Sequence, residues 1–156
     1  MEIRKGIDPP GLSEFVSRAF LASPVFAGVD EVRYQPERIA LSLAKGEALL
    51  AYDGGRLVGS VTLFPPDHAS ACEAFRTNPQ VGLLAVDPNL GGRGIGAFLM
   101  DAIEREASAN HEKLALSVTE RGTALIAMYE RRGYERVGSF TWPQAISPSL
   151  IMIRQL

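Results

Sequence analysis

Four glycines stand at positions 91, 92, 94 and 96, within the stretch Asp87-Pro-Asn-Leu-Gly-Gly-Arg-Gly-Ile-Gly-Ala97. An apolar run, Val81 to Val86, precedes them, and a helical pattern opens at Ile95. The order strand, glycine-rich turn, helix has a chemical use. A helix N-terminus presents unpaired N–H groups and a partial positive charge. Glycines let the chain turn sharply and let an anion approach the backbone, so the combination can cradle a diphosphate. Arg93 lies inside the turn and offers charge to the phosphates.

Other readings fit the same glycines. A plain strand-to-helix connection needs no ligand. In Gly92-Arg93-Gly94-Ile95-Gly96-Ala97 the third glycine of a dinucleotide fingerprint is replaced by Ala97, an allowed variant. However, no acidic residue closes a second strand about 20 residues on, as a dinucleotide fold requires. No Gly-Lys-Ser/Thr follows, so the turn is not a nucleotide P-loop. Few other side chains suggest chemistry. Cys72 has no arguable His or Asn partner and reads as an incidental thiol in a loop. His68 and His111 are far apart and no Cys/His spacing suggests a metal. Glu73 lies just before the central strand and is a candidate base, as is His68.

The elements that must hold the turn follow from periodicity. Residues 2–7 suit a short strand. Gly11 to Ala22 predicts a helix with Leu12, Phe15, Val16, Ala19 and Phe20 on one stripe, ended by Pro24. A second helix opens at Pro36, carries Ile39, Ala40, Leu43 and Ala44, and stops at Gly46. Glu47–Tyr52 and Arg56–Phe64 predict a hairpin through Asp53-Gly54-Gly55. A helical turn is expected near Ala69 to Phe75, then a buried strand Val81–Val86. Helices over Ile95–Ala107 and Thr123–Arg132 flank a strand Leu114–Val118, and Gly133 stops the second helix. Tyr134–Phe140 and Ser149–Ile153 are the last strands; the latter suits either a dimer edge or an internal position. Paired strands first and strand-helix-strand-helix later predict one mixed α/β (α+β) sheet flanked by helices.

Leu84-Ala-Val-Asp-Pro-Asn-Leu-Gly-Gly-Arg-Gly-Ile-Gly-Ala-Phe-Leu-Met100 resembles the acetyl-CoA-binding segment of the GNAT family of N-acetyltransferases. That segment has an apolar strand, a Pro, then Q/R-x-x-G-x-G/A opening a long helix. Gly94, Ile95 and Gly96 match the G-x-G, with Gly92 and Arg93 inside it; Gly91 stands where Gln or Arg is usual. Downstream, Leu125 to Tyr134 resembles the family's A-x-x-L-Y-x-x-x-G-F segment through Tyr129, Gly133 and Tyr134, while Gly122 stands where Asn is common. The resemblance covers roughly residues 47–137. It implies backbone N–H groups from Gly91 to Ala97 on the diphosphate. It implies Leu84, Ala85 and Val86 beside the pantetheine arm, on a strand that splays from its neighbour, with Ala85 or Val86 N–H at the thioester carbonyl. It implies Tyr129 as general acid for the departing thiolate. By residue type alone Tyr129, on an amphipathic helix, reads as core, and Arg131 and Arg132 read as charges favouring the helix C-terminus. The implied function is transfer of acetyl from acetyl-CoA, a cosubstrate, to an amine of a small molecule or protein. A noncatalytic acyl-CoA-binding sensor or scaffold of the same fold is the alternative, and a nicotinamide-dependent oxidoreductase module a more distant one.

Composition sets the outer bounds. The chain has 156 residues, 46% apolar and 22% charged, which suits one domain over 1–156 able to bury a core. With 16 basic and 18 acidic side chains its net charge of −2 gives no general attraction for nucleic acid or anionic membrane. A lone cysteine implies no oxidising compartment. The start MEIRKGIDPPG is not of signal-peptide type and no apolar run reaches membrane-spanning length. A soluble cytoplasmic protein is the expectation.

Overall fold

The computed structural model describes residues 1–5, 10–26 and 31–156. In chain order the elements are β1 (Glu2–Lys5), α1 (Leu12–Leu21), α2 (Pro36–Leu43), β2 (Glu47–Asp53), β3 (Arg56–Phe64), α3 (Ala74–Thr77), β4 (Gln80–Val86), α4 (Ile95–Ser108), β5 (Lys113–Thr119), α5 (Thr123–Arg131), β6 (Glu135–Phe140) and β7 (Ser149–Gln155). Short 3-10 turns at Glu31–Tyr34 and Pro88–Leu90 complete them. Residues 6 and 7 of the expected first strand lie outside the described residues. No described helix is long and apolar enough to cross a membrane.

One seven-stranded sheet runs in the order β1-β2-β3-β4-β5-β7-β6. Every neighbouring pair is antiparallel except β4 and β5. The expected mixed α/β sheet is therefore present. The C-terminal strand is internal: β7 lies between β5 and β6, so Ser149–Ile153 offers no edge to a second copy. The edge at this end of the sheet is β6, whose exposed Glu135 and Arg136 discourage strand addition.

Helices cover both faces. α1 and α2 bury Leu12, Phe15, Val16, Ile39 and Leu43 against Ala48, Leu50 and Ala85. On the opposite face α4 buries Ile95, Leu99, Met100 and Ile103 against Leu49, Ala51, Val58 and Val61, and α5 adds Ile126 and Tyr129. The stripe of α2 is narrower than its sequence suggests, because Ala40 and Ala44 are exposed. Two large side chains, Ile39 and Leu43, are enough to dock eight residues. The helical turn expected near Ala69 to Phe75 sits later, at Ala74–Thr77. Asp67 accounts for the shift: its carboxylate accepts from Ala69 N–H at 2.9 Å, fixing a turn where a helix would start.

Candidate active site

Strand β4 has two neighbours only at its start. Along β3 it pairs from Phe64↔Gln80 to Gly59↔Val86. Along β5 the register contains only Gln80↔Ala115, next to a bond from Ala115 N–H to the Pro79 carbonyl at 2.9 Å. Beyond that point β4 and β5 splay apart. The β3 side carries a bulge: Leu83 and Leu84 stand opposite Val61, between the pairs Ser60↔Ala85 and Thr62↔Gly82. Leu83 takes the left-handed region at φ 52°, where a branched apolar side chain is strained. The distortion kinks β4 and widens the split.

A cavity of about 790 Å³ opens at the split. Its floor is Gln80 to Leu84 from β4 and Leu116 to Thr119 from β5, and Tyr129 and Leu125 of α5 close one end. The size is ample for a cosubstrate arm plus a small acceptor. Side chains alternate along β4 as a strand requires. Leu84 and Val86 pack toward α4 and α5, whereas Ala85, 2% exposed, packs under α1.

Tyr129 is 9% exposed and lines the cavity. Its hydroxyl has no hydrogen bond to another described residue. Burial pushes the hydroxyl up to about 12, against a weaker pull down from Arg132. Its ring meets Tyr134 edge-on at 5.7 Å. Behind it lies a polar group that sequence reasoning missed. Glu104 of α4, 8% exposed, accepts from Arg132 at 2.9 and 3.0 Å, from Tyr134 Oη at 3.2 Å and from Arg154 at 2.5 Å. Arg132 also reaches Asp101 at 2.5 Å. Arg132 therefore ties α5 to α4 rather than merely favouring a helix end. Glu104 follows Ile103 in the apolar stripe, a placement visible in sequence, but only the fold supplies its partners.

The glycine-rich turn begins where β4 ends. Asp87, 4% exposed, anchors it: its backbone N–H reaches Val58 O at 2.9 Å, one carboxylate oxygen accepts from Asn89 N–H at 2.9 Å, and the other from Arg56 at 2.7 Å. The Asn89 N–H, with help from Arg56 and Arg18 and against the opposing effect of desolvation, holds that carboxyl below its ordinary range. Gly92 and Gly94 sit at φ 76° and 78°, in the left-handed region that favours glycine. Gly91, at φ −60° and ψ 149°, is in a conformation any residue adopts. Gly94 is the N-cap of α4 and has no side chain to cap it, so the first-turn N–H groups of Ile95, Gly96 and Ala97 lack a side-chain acceptor. Gly91, Gly92, Arg93, Gly94 and Ala97 are exposed and Gly96 partly so, while Ile95 is buried as an anchor. None of these turn residues lines the cavity; they form a separate surface just past the end of β4.

The remaining candidates lie apart. His68 and Glu73 are exposed and outside the cavity lining, and His111, between α4 and β5, is outside it too. Cys72 lies in a loop, as expected, but is only 4% exposed, packed among Phe75, Ala115 and Ile151.

The sequence matches the model of the family described as Acetyltransferase (GNAT) family over residues 14–134. It is 32% identical over 89 residues to S-(2-succino)cysteine N-acetyltransferase of Bacillus subtilis, covering 55% of this chain and 53% of that protein. The chain spans 28% and 53% of the lengths of curated relatives it matches. Two solved structures share its fold. The ribosomal-protein-alanine N-acetyltransferase of Brucella melitensis superposes with a TM-score of 0.76 at 21% identity, over 100% of both chains. A GNAT family acetyltransferase of Elizabethkingia anophelis, solved with acetyl-CoA bound, gives 0.70 at 16% identity, over 99% of this chain and 97% of that one.

Proposed function

Because the chain belongs to the acetyltransferase (GNAT) family, we propose that it transfers the acetyl group of acetyl-CoA to an amine. The observation that carries the reading is the split beside β4, whose free edge runs from Tyr129 at the cavity toward an uncapped helix N-terminus at Gly94. A long cosubstrate with a thioester at one end and a diphosphate at the other suits that layout. Backbone N–H groups from Gly91 to Ala97, with Arg93 at the rim, take the diphosphate. The free edge of Leu84, Ala85 and Val86 takes the amide-bearing arm as a further strand would be taken. The acetyl-CoA bound in the structure of the Elizabethkingia anophelis neighbour supports acetyl-CoA as the cosubstrate.

The chemistry is direct. A neutral amine attacks the thioester carbonyl, an N–C bond forms and the C–S bond breaks. An N–H of Ala85 or Val86 meets the negative charge that develops on the carbonyl oxygen. The Tyr129 hydroxyl, kept protonated by burial, gives its proton to the departing sulfur. The proton lost by the amine leaves to water. Thiol release from acetyl-CoA, followed across a broad panel of amines, tests the reading. Amine-dependent release is the expected result. Tight binding of acetyl-CoA with no release on any amine would instead mark a noncatalytic acyl-CoA-binding protein.

A further inference from the structure

The part of the cavity away from β5 has a marked chemical bias, and the geometry points to one class of acceptor: a small molecule carrying an α-amine, a carboxylate and a flat apolar group, as an aromatic amino acid does. This rests on the transfer reading and names its substrate class.

Seven of the chain's twelve aromatic residues line the cavity. Apart from Tyr129 and Phe64 they form two walls, Phe26 joining Phe20 and Tyr34 in one of them. Phe20 and Tyr34 stack at 4.6 Å on the side of α1 and α2. Phe75 and Trp142 lie parallel at 5.8 Å on the opposite side. Tyr34 and Trp142 are half-buried and line the cavity, Tyr34 held by Phe20, Phe26 and Arg33 and Trp142 by Phe75 and Phe140. Between the walls Phe64, Pro65 and Pro66 continue the apolar lining. Half-exposed rings facing one cavity bury their remaining surface against a flat apolar group more fully than against a flexible polar chain.

The charges set a second requirement. Among the described residues the cavity is lined by two cations, Arg33 and Lys45, and by one carboxylate, Asp67. Asp67 already accepts from Ala69 N–H. Lys45, at the end of α2, forms no ion pair with a described residue. A carboxylate would gain a partner in Lys45, whereas a polycationic amine would meet it as a like charge.

The third requirement concerns basicity. No described His or Glu lines the cavity and the one described carboxylate there, Asp67, already accepts from Ala69 N–H, so the lining favours an amine that loses its proton readily. An alkylamine of lysine type, pKa about 10.4, is neutral in less than about 0.1% of molecules at pH 7. A carboxyl group on the amine-bearing carbon weakens the base and raises that fraction. All three features meet in one small molecule.

The test compares kcat/KM, expressed per neutral amine, for L-phenylalanine, L-phenylalaninamide, L-alanine and spermidine, with wild type and Lys45→Gln. Lys45 is exposed, so the variant is expected to melt with the wild type. The expected result is phenylalanine above its amide by about tenfold, above alanine and far above spermidine, with Lys45→Gln bringing acid and amide to within about twofold. The inference is overturned if the amide matches the acid, if spermidine is preferred, or if Lys45→Gln leaves the preference intact. Release on other amines but none of these four overturns the inference and leaves acetyl transfer standing. Release on no amine at all removes the transfer reading, and this inference with it.

Discussion

Tyr129 stands between packing and chemistry. Its ring is core, buried among α4, α5 and Tyr134, yet the residue lines the cavity and its hydroxyl has no hydrogen bond to another described residue. Tyr129→Phe keeps the ring and removes only the proton donor. The expected outcome is a kcat lower by about 10²-fold or more, the scale of general acid catalysis, with the melting temperature unchanged. An unchanged turnover number would take Tyr129 out of the mechanism. The pH dependence follows from burial, which pushes the hydroxyl up to about 12 from its ordinary 10.0. Below pH 10 the proton is present in folded and unfolded chains alike. Between 10 and about 12 the folded chain holds it more firmly, so stability from this group declines as pH rises through that window. Wild type and Tyr129→Phe should therefore show rate profiles of the same shape up to pH 10. A falling limb present only in the wild type near neutrality would contradict the assignment.

At the scale of elements, the glycine-rich turn separates residues that shape the backbone from those that leave it free. Gly94 must adopt φ 78° to start α4, whereas Gly91 needs no special conformation and a Cβ there meets nothing within 4 Å. Gly94→Ala is expected to cost about 1–2 kcal/mol, seen as a melting point lower by roughly 2–8 °C. Gly91→Gln should fold within about 0.5 kcal/mol of wild type and leave the KM for acetyl-CoA no higher. Thermal melts and a KM measurement decide it. Equal damage from both variants would mean that left-handed backbone is not what the turn selects for.

Across the whole molecule, Glu104 joins three elements that the sheet alone does not. Its carboxylate collects Arg132 at the C-cap of α5, Arg154 of β7 and the Tyr134 hydroxyl, and Arg132 is only 17% exposed by its side chain. Removing a buried partner strands the remaining charges, so Glu104→Ala is expected to destabilise by about 3 kcal/mol or more. Asp101, 62% exposed, contacts the same Arg132, and Asp101→Ala should cost no more than about 1 kcal/mol. Urea unfolding measures both. Similar losses would show that the carboxylate cluster is a surface network rather than the clamp behind Tyr129.

Much of this architecture is written in local pattern. The hairpin through Gly54-Gly55, the central strand at Val81–Val86, the helix from Ile95 and the stop at Gly133 are all legible in the sequence. Each depends on residues a few positions apart: periodicity, a proline, a glycine with positive φ. The motif order from Gly94 to Tyr129 is likewise sequential, and with it the family. What joins distant residues needed the tertiary structure. The place of β7 between β5 and β6, and the pairing of Glu104 with Arg154, link positions no period connects. The left-handed Leu83 is held by strand register, because nothing in a leucine's own preferences asks for φ 52°. The sheet, not the residue types, opens β4 from β5 and brings Phe20, Lys45, Trp142 and Tyr129 around one space. Local propensity is additive along a chain, but a cavity exists only where separately specified elements fail to close on one another.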